Sequence, residues 1–203
     1  MKKILILAAT LIASISFAEK KIETKMTKLT TAKLEVTGTV KWTGFGVGNK
    51  SHSGDLALKS GSVEMKGGKL IGGTFILNML SIKTADSAKL EGHLKSPDFF
   101  DVEKFNEGTF KITKVEAIKD AKAGNPSHKI TGDLTIKGKT HSEEFLANIT
   151  KQGTGYVATA ETEIKDRTQY DIVYNSAKFK AASVLGDKLI KDNIKIQLDI
   201  KTN

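Results

Sequence analysis

The chain has 203 residues, no cysteine, two prolines and a formal net charge of +9. Its 39% hydrophobic and 27% charged residues are typical of a globular domain and exclude a disordered chain. The lack of cysteine excludes a disulfide, a thiolate nucleophile, a zinc finger and an iron–sulfur cluster.

The first eighteen residues have the pattern of a secretory signal peptide. Two lysines precede an apolar run from 4 to 15, and small residues end the segment at Ala18. The apolar run is shorter than the roughly 18 residues that a membrane anchor needs. We therefore expect cleavage near Ala18, a single mature domain over 19–203, and a location in the periplasm or outside the cell.

The basic excess comes almost entirely from lysines that are scattered singly along the chain, since Arg167 is the only arginine. Nucleic-acid-binding proteins use clustered arginines and aromatic stacking platforms, so we expect no nucleic-acid partner. Lysines on outward strand faces favour solubility and blunt sheet edges. A weak, transient attraction to anionic membrane surfaces is the alternative that this charge leaves open.

Alternation of apolar and polar residues dominates the mature sequence and predicts strands with one wet face. Glycine-rich turns, among them Gly67–Gly68 and Gly72–Gly73, separate these segments. Eight short strands in this arrangement predict an all-β protein whose antiparallel sheet closes on itself or forms a sandwich. The apolar members of the eight segments are Leu34, Val36, Val40 and Trp42; Leu56 and Leu58; Phe75, Leu77 and Met79; Phe110 and Ile112; Ile130, Leu134 and Ile136; Phe145, Ala147 and Ile149; Tyr170, Ile172 and Tyr174; and Ile194, Ile196, Leu198 and Ile200.

One segment departs from this alternation and predicts a helix over 85–95. Leu90 and Leu94 are four residues apart, Asp86 can cap the helix, and Pro97 ends it. The adjacent pair Phe99–Phe100 follows, and at least one of these rings should plug an end of the sheet or pack against its wall, because both are costly to expose.

Several motifs in this region and beyond it resemble the YceI-like family, whose members are secreted, lipocalin-like proteins that bind polyisoprenoids. The resemblance covers essentially the whole mature chain. It implies an eight-stranded antiparallel lipocalin-like barrel with one helix between strands and a long lipid tail in the lumen. Asn78 and Asn106 depart from the family pattern, where an acid and a proline are common. The segments that carry the resemblance are Gly72–Phe75, Ser81–Ile82, Gly92–Val102, Phe105, Gly132–Thr140 and Asp166–Ile172.

The alternation and the family motif together predict which side chains bind the lipid in the lumen or at its mouth. Each buried methylene contributes roughly 0.8 kcal/mol relative to water but little relative to a bilayer, which suits a protein that exchanges lipid with membranes. The expected ligand-binding residues are Trp42, Phe75, Leu77, Met79, Leu90, His93, Leu94, Phe99, Phe100, Phe110, Tyr170, Ile172 and Tyr174.

Signals for catalysis are weak. The four histidines have no metal-ligand spacing, and no Gly-x-Ser-x-Gly elbow is present. Asp166 and Arg167 suggest a structural ion pair more than an acid–base pair. We expect no catalytic residue, metal or cofactor, and leave a homodimer open.

Two functions remain on this evidence. The first is a binding protein that stores or transports an isoprenoid lipid, of the polyprenyl or quinone type. The alternative is an enzyme or accessory protein that acts on an isoprenoid quinone in respiratory electron transfer, with His93 or Arg167 near the reacting end.

Overall fold

The computed structural model describes residues 30–202, so the expected signal peptide over residues 1–18 lies outside the described residues. The sheet closes on itself because the first strand pairs with both the second and the last, and every pairing is antiparallel. The strands are β1 (Thr31–Gly46), β2 (Ser51–Lys66), β3 (Lys69–Asn78), β4 (Lys83–Thr84), β5 (Glu107–Ala117), β6 (His128–Ile136), β7 (Lys139–Gln152), β8 (Gly155–Ile164) and β9 (Ile190–Thr202).

Eight of these strands form the wall of the barrel in the order β1-β9-β8-β7-β6-β5-β3-β2, and the pairing of β2 with β1 closes it. The two-residue strand β4 pairs only with β2 and lies outside the wall. The helices are α1 (Ala88–Lys95), α2 (Ala182–Leu185) and the 3-10 helices Met79–Ser81, Arg167–Tyr170 and Gly186–Lys188. The eight-stranded antiparallel barrel expected from the sequence is confirmed. None of the described helices is long and apolar enough to span a membrane.

One of the eight predicted strands is wrong. Tyr170, Ile172 and Tyr174 lie in the 3-10 helix Arg167–Tyr170 and the turns that follow it, and β8 is the missing eighth strand. The inward residues of β8 include Ala158 and Ala160. Because alanine is only weakly hydrophobic, the inward and outward positions of this strand differ little in hydrophobicity.

The predicted helix is present but begins later. The side-chain oxygen of Ser87, not that of Asp86, accepts the hydrogen bond from the backbone N–H of Leu90 and caps α1. The Asp86 carboxylate instead bonds to Thr84 and His52, which connects the start of α1 to β2. The four-residue helix α2 was not predicted.

A bulge in β2 reverses which residues point into the barrel. The pairing of β2 with both of its neighbours shifts near Lys59, where the strand has one additional residue. Leu56 and Leu58 point inward before this bulge, and Val63 and Met65 point inward after it.

The Gly72–Gly73 pair, predicted as a turn, lies inside β3 instead. It follows a second irregularity, where the pairing of β3 with β2 skips Ile71 and leaves that side chain exposed. The Gly67–Gly68 turn is confirmed as a tight hairpin, with φ of 57° and 77° at its two residues.

The two ends of the barrel are built differently. At one end, which we call the open end, the described connections are the short turn 67–68, the loop 118–127 and the turn 153–154. At the other, the closed end, the long segments 79–106 and 165–189 connect the strands and carry all the helices of residues 30–202. The contiguous buried core includes Met79, Leu94 and Tyr170 from these segments, so the core is densest at the closed end.

Candidate functional site: the barrel lumen

The lumen contains a cavity of about 260 Å³ that side chains from all eight wall strands line. Its lining extends from Met65 and Tyr156 near the open end to Leu94 and Tyr170 at the closed end. Alternation along each strand directs the apolar side chains inward, so the lining is almost entirely hydrocarbon. Apolar cavities of this kind stay dry and bind apolar ligands.

Small inward residues make room for the aromatic side chains of the wall. The ring of Phe75 lies against Gly61 and that of Phe110 against Gly132. The Phe110 ring is also 6.4 Å from that of Phe75 and 5.6 Å from that of Phe145. These rings form an aromatic band along one side of the lumen.

A plug of aromatic and aliphatic side chains fills the closed end. Phe99 is 7% exposed, and its ring centroid is 4.9 Å from that of His93 and 5.3 Å from that of Tyr174. His93 also contacts Tyr174, at 4.7 Å, and its Nε2 lies 3.0 Å from the Asp98 carboxylate. Helix α1 is thereby fixed to the loop that follows it and to the segment before β9.

Arg167 is the buried polar anchor of the plug. The guanidinium is 2% exposed and donates hydrogen bonds to the backbone carbonyls of Lys191, Ile172, Tyr174 and Ile190. Burial lowers the pKa of Arg167, while the nearby carboxylates act to raise it. Four of its five N–H donors are therefore engaged within the fold.

The sequence suggested an ion pair between Asp166 and Arg167, and this is wrong. Asp166 caps the 3-10 helix that begins at Arg167, and the two side chains form no ion pair within 4 Å. Arg167 lies 3.5 Å from Asp192, and Asp166 pairs with Lys178. Partial burial acts to raise the pKa of Asp166, but hydrogen bonds from Lys178 and Thr168 outweigh it and hold the pKa at about 2.

Glu143 is a polar exception in the lumen lining. It occupies an inward position of β7, and its Oε1 accepts a 2.8 Å hydrogen bond from the hydroxyl of Tyr170. Tyr170 is 1% exposed, and burial, followed by the bond to Glu143, strongly raises the pKa of its hydroxyl. The ring of His141 packs edge-on against Tyr170 at 5.1 Å. Over residues 30–202 no group of three or more potential metal ligands comes together.

The structure brings most of the predicted site residues to the cavity. Leu90, His93 and Tyr174 do not line it: Leu90 and Tyr174 pack against the core beside it, and His93 lies on the outer side of the plug. Their assignment to direct lipid contact therefore lacks support from this geometry. The predicted residues that do line the cavity are Trp42, Phe75, Leu77, Met79, Leu94, Phe99, Phe100, Phe110, Tyr170 and Ile172.

The prediction missed a second set of lining residues that the same signal could have found in part. Extending the alternation of Phe145, Ala147 and Ile149 two residues back reaches Glu143. Others are Val63, Met65, Leu70, Tyr156, Ala158, Ala160 and Thr162, which lie beside bulges or belong to β8, and the plug residues Ile82 and Ile190.

Comparison with known proteins agrees with this architecture. The family model described as the YceI-like domain matches residues 21–202. The chain belongs to the YceI-like family. A UPF0312 protein of Staphylococcus aureus (strain bovine RF122 / ET3-1) is 33% identical over 115 residues, which cover 52% of this chain and 59% of that protein. A UPF0312 protein of Vibrio parahaemolyticus is 33% identical over 90 residues, covering 40% of this chain and 45% of that protein. The chain thus spans about half the length of these curated relatives.

Two solved structures of similar fold align with a larger share of this chain than the curated relatives do. BcnA of Burkholderia cenocepacia superposes with a TM-score of 0.63 at 18% identity, over 82% of this chain and 96% of that one. A polyisoprenoid-binding domain from Saccharophagus degradans, implicated in plant cell wall breakdown, has a TM-score of 0.60 at 11% identity, over 87% of this chain and 99% of that one. At these identities the likeness shows a shared fold.

Proposed function

We propose that the protein binds one long isoprenoid lipid in the barrel lumen and stores or transports it in the periplasm or outside the cell. The observation that carries this proposal is the hydrocarbon-lined cavity that runs from the open end to the plug. Its elongated course along the strands matches a slender chain. The name of the Saccharophagus degradans domain, polyisoprenoid-binding, supports the choice of this lipid class.

The binding energy suits exchange with a membrane. A prenyl chain leaving water for the lumen gains roughly 0.8 kcal/mol per buried methylene, whereas a chain leaving a bilayer for the lumen gains almost nothing. Release into a bilayer is therefore possible without an energy source, but release into water is not.

The open end has the charge that contact with an anionic membrane requires. Two acids, Glu116 and Asp120, lie in its connections or within two residues of them, against several exposed lysines. In the described chain these lysines form no ion pair within 4 Å, so their charge is available to lipid phosphates. We call them the basic rim: Lys66, Lys69, Lys119, Lys122 and Lys151.

We propose binding without chemical conversion of the lipid. His93 is bonded to Asp98 and packed against two rings on the outer side of the plug, and Arg167 has its donors engaged by backbone carbonyls. His93 therefore does not reach the cavity, and Arg167, which does line it, has most of its donors already engaged. After incubation with an isoprenoid quinone the lipid should be recovered unchanged. Turnover that His93→Ala abolishes would establish the enzyme alternative.

The ligand itself can be identified directly. Protein purified from its own cells without detergent should show, in native mass spectrometry, one added mass per barrel, and solvent extraction should release an isoprenoid lipid of that mass. Protein purified in the same way but without bound lipid, and unable to take up added prenyl chains, would contradict the proposal.

A further inference from the structure

Glu143 combines three features that the fold alone does not explain. Its side chain lines the hydrocarbon lumen, one carboxylate oxygen accepts a hydrogen bond from Tyr170, and no cation lies within 4 Å of it among residues 30–202. The next residue, Glu144, points outward and pairs with Lys129 at 2.8 Å. The charged neighbour therefore has its counter-ion at the surface, while the lumen carboxylate has none.

The other ionisable side chains along the lining do not balance Glu143. Arg167 is engaged by backbone carbonyls, and Glu163 and Lys191 are exposed. A carboxylate facing hydrocarbon without a counter-ion lowers the stability of the fold unless something else bonds to it.

The Tyr170 bond defines what can complete the site. One hydroxyl already satisfies Oε1, and the carboxylate has capacity for further donors. A ligand hydroxyl can donate such a bond. A phosphate or carboxylate head group would instead meet the like charge of the half-buried Glu143 carboxylate, which would repel it.

We propose that Glu143 binds the ligand's head group and that this head group is an uncharged hydroxyl, as in a prenol or a quinol. The inference rests on the proposed function and specifies which kind of head group the protein binds. Because Tyr170 belongs to the closed end, the hydroxyl lies deep in the lumen and the prenyl chain extends from it toward the open end.

The test compares three ligands of similar apolar character: geranylgeraniol, geranylgeranyl monophosphate and the hydrocarbon squalene. Trp42 is the only tryptophan and lines the cavity, so its fluorescence can report occupancy in delipidated protein. Glu143→Gln keeps an acceptor for Tyr170 and removes the charge. Glu144→Gln is the matched control, because it makes the same change on the outer face of the same strand.

We expect Glu143→Gln to raise affinity for the phosphate about tenfold and to change affinity for the alcohol by less than threefold. Glu143→Leu should weaken binding of the alcohol about tenfold and leave squalene binding unchanged or tighter, and Glu144→Gln should leave all three affinities as they are. Melting curves without ligand confirm that each variant is folded.

The outcomes separate the two proposals. If the wild-type protein binds these lipids and Glu143→Gln leaves the ratio of alcohol to phosphate affinity unchanged, Glu143 is not the head-group residue and the proposed function stands. If the wild-type protein binds none of the three ligands, the proposed function itself fails.

Discussion

The ring of Phe110 lies over Gly132, so close that a Cβ on the glycine would be 2.4 Å from its Cζ atom. The same Cβ would be 2.6 Å from the carbonyl oxygen of Lys111. The glycine therefore lets an aromatic side chain lie flat along the wall instead of filling the lumen. The space left in the lumen therefore depends on this pair as well as on the number of strands.

Gly132→Ala should destabilise the fold by about 1 to 3 kcal/mol, because both the ring and the backbone oxygen would have to move. Chemical denaturation measures the change. Gly92→Ala is the control: its Cβ would meet nothing within 4 Å, and alanine in α1 should raise stability by up to about 1 kcal/mol. Equal stability of Gly132→Ala and the wild type would show that the wall is more deformable than its geometry indicates.

Arg167→Lys should cost about 3 kcal/mol although it keeps the charge. Lysine cannot reach the carbonyls of Ile172, Tyr174 and Ile190 together, so buried acceptors would lose their donors. Urea unfolding of both proteins gives the difference. A lysine variant as stable as the wild type would mean that the guanidinium is not the anchor of the plug.

Asp166→Asn should lower stability by about 2 kcal/mol at neutral pH and by progressively less below roughly pH 4. The folded-state pKa of Asp166 is about 2, below its ordinary value of 3.8, so its carboxylate stabilises the fold above the ordinary value and loses this effect as pH falls toward 2. Asparagine keeps the capping acceptor and removes the charge. Unfolding curves from pH 7 to pH 2 check the expected convergence, and a gap independent of pH would contradict it.

Phe99→Ala and Phe100→Ala should each cost about 2 to 4 kcal/mol, shared between fold stability and lipid binding. Both side chains line the cavity, but Phe99 also packs against His93 and Tyr174. Melting temperatures with and without lipid separate the two effects, since a ligand raises the melting temperature according to its affinity.

For Phe100→Ala, the increase in melting temperature on adding lipid should be smaller than the wild-type increase. The reduction should exceed what the lower stability of the lipid-free variant alone would cause. Exposed Lys139, changed to alanine, is the control and should leave both melting temperatures unchanged. If lipid raises the melting temperature of both phenylalanine variants as much as that of the wild type, the two rings only pack the fold and do not bind lipid.

The basic rim should direct the protein to anionic membranes. Replacing Lys66 and Lys69 by glutamine should weaken sedimentation with phosphatidylglycerol vesicles several-fold at low salt, because each lysine near such a surface contributes about 1 kcal/mol. Lys139 and Lys188 lie at the closed end, and the same double change there removes equal charge. Equal loss in both double variants would show that net charge, not the open end, determines binding.

The sequence predicts the barrel because its wall strands carry large apolar residues at every second position. The prediction fails where that contrast is weak, as in β8, whose inward positions include Ala158, Ala160 and Thr162. It also fails at Tyr170 and Ile172, which alternate but are buried by the irregular plug.

The candidate site was predictable to a similar extent. The phenylalanines of the wall and plug follow from alternation and from the family motif, and they line the cavity. Val63 and Met65 do not follow, because the bulge near Lys59 changes the phase of β2 in a stretch without large apolar residues. Glu143 was overlooked because an acid on an inward face opposes the rule that predicted its neighbours.

The plug at the closed end limits how a ligand can enter and leave the barrel. Segments 79–106 and 165–189 obstruct one end of the described lumen, and Arg167 joins the second of them to β9, so a lipid bound as proposed would enter and leave at the opposite end. A barrel that is closed at one end cannot take up a ligand at one end and release it at the other. Under the proposed function, each barrel would have to empty before it refills, and the amount of lipid moved in a given time would scale with the number of barrels and their round trips.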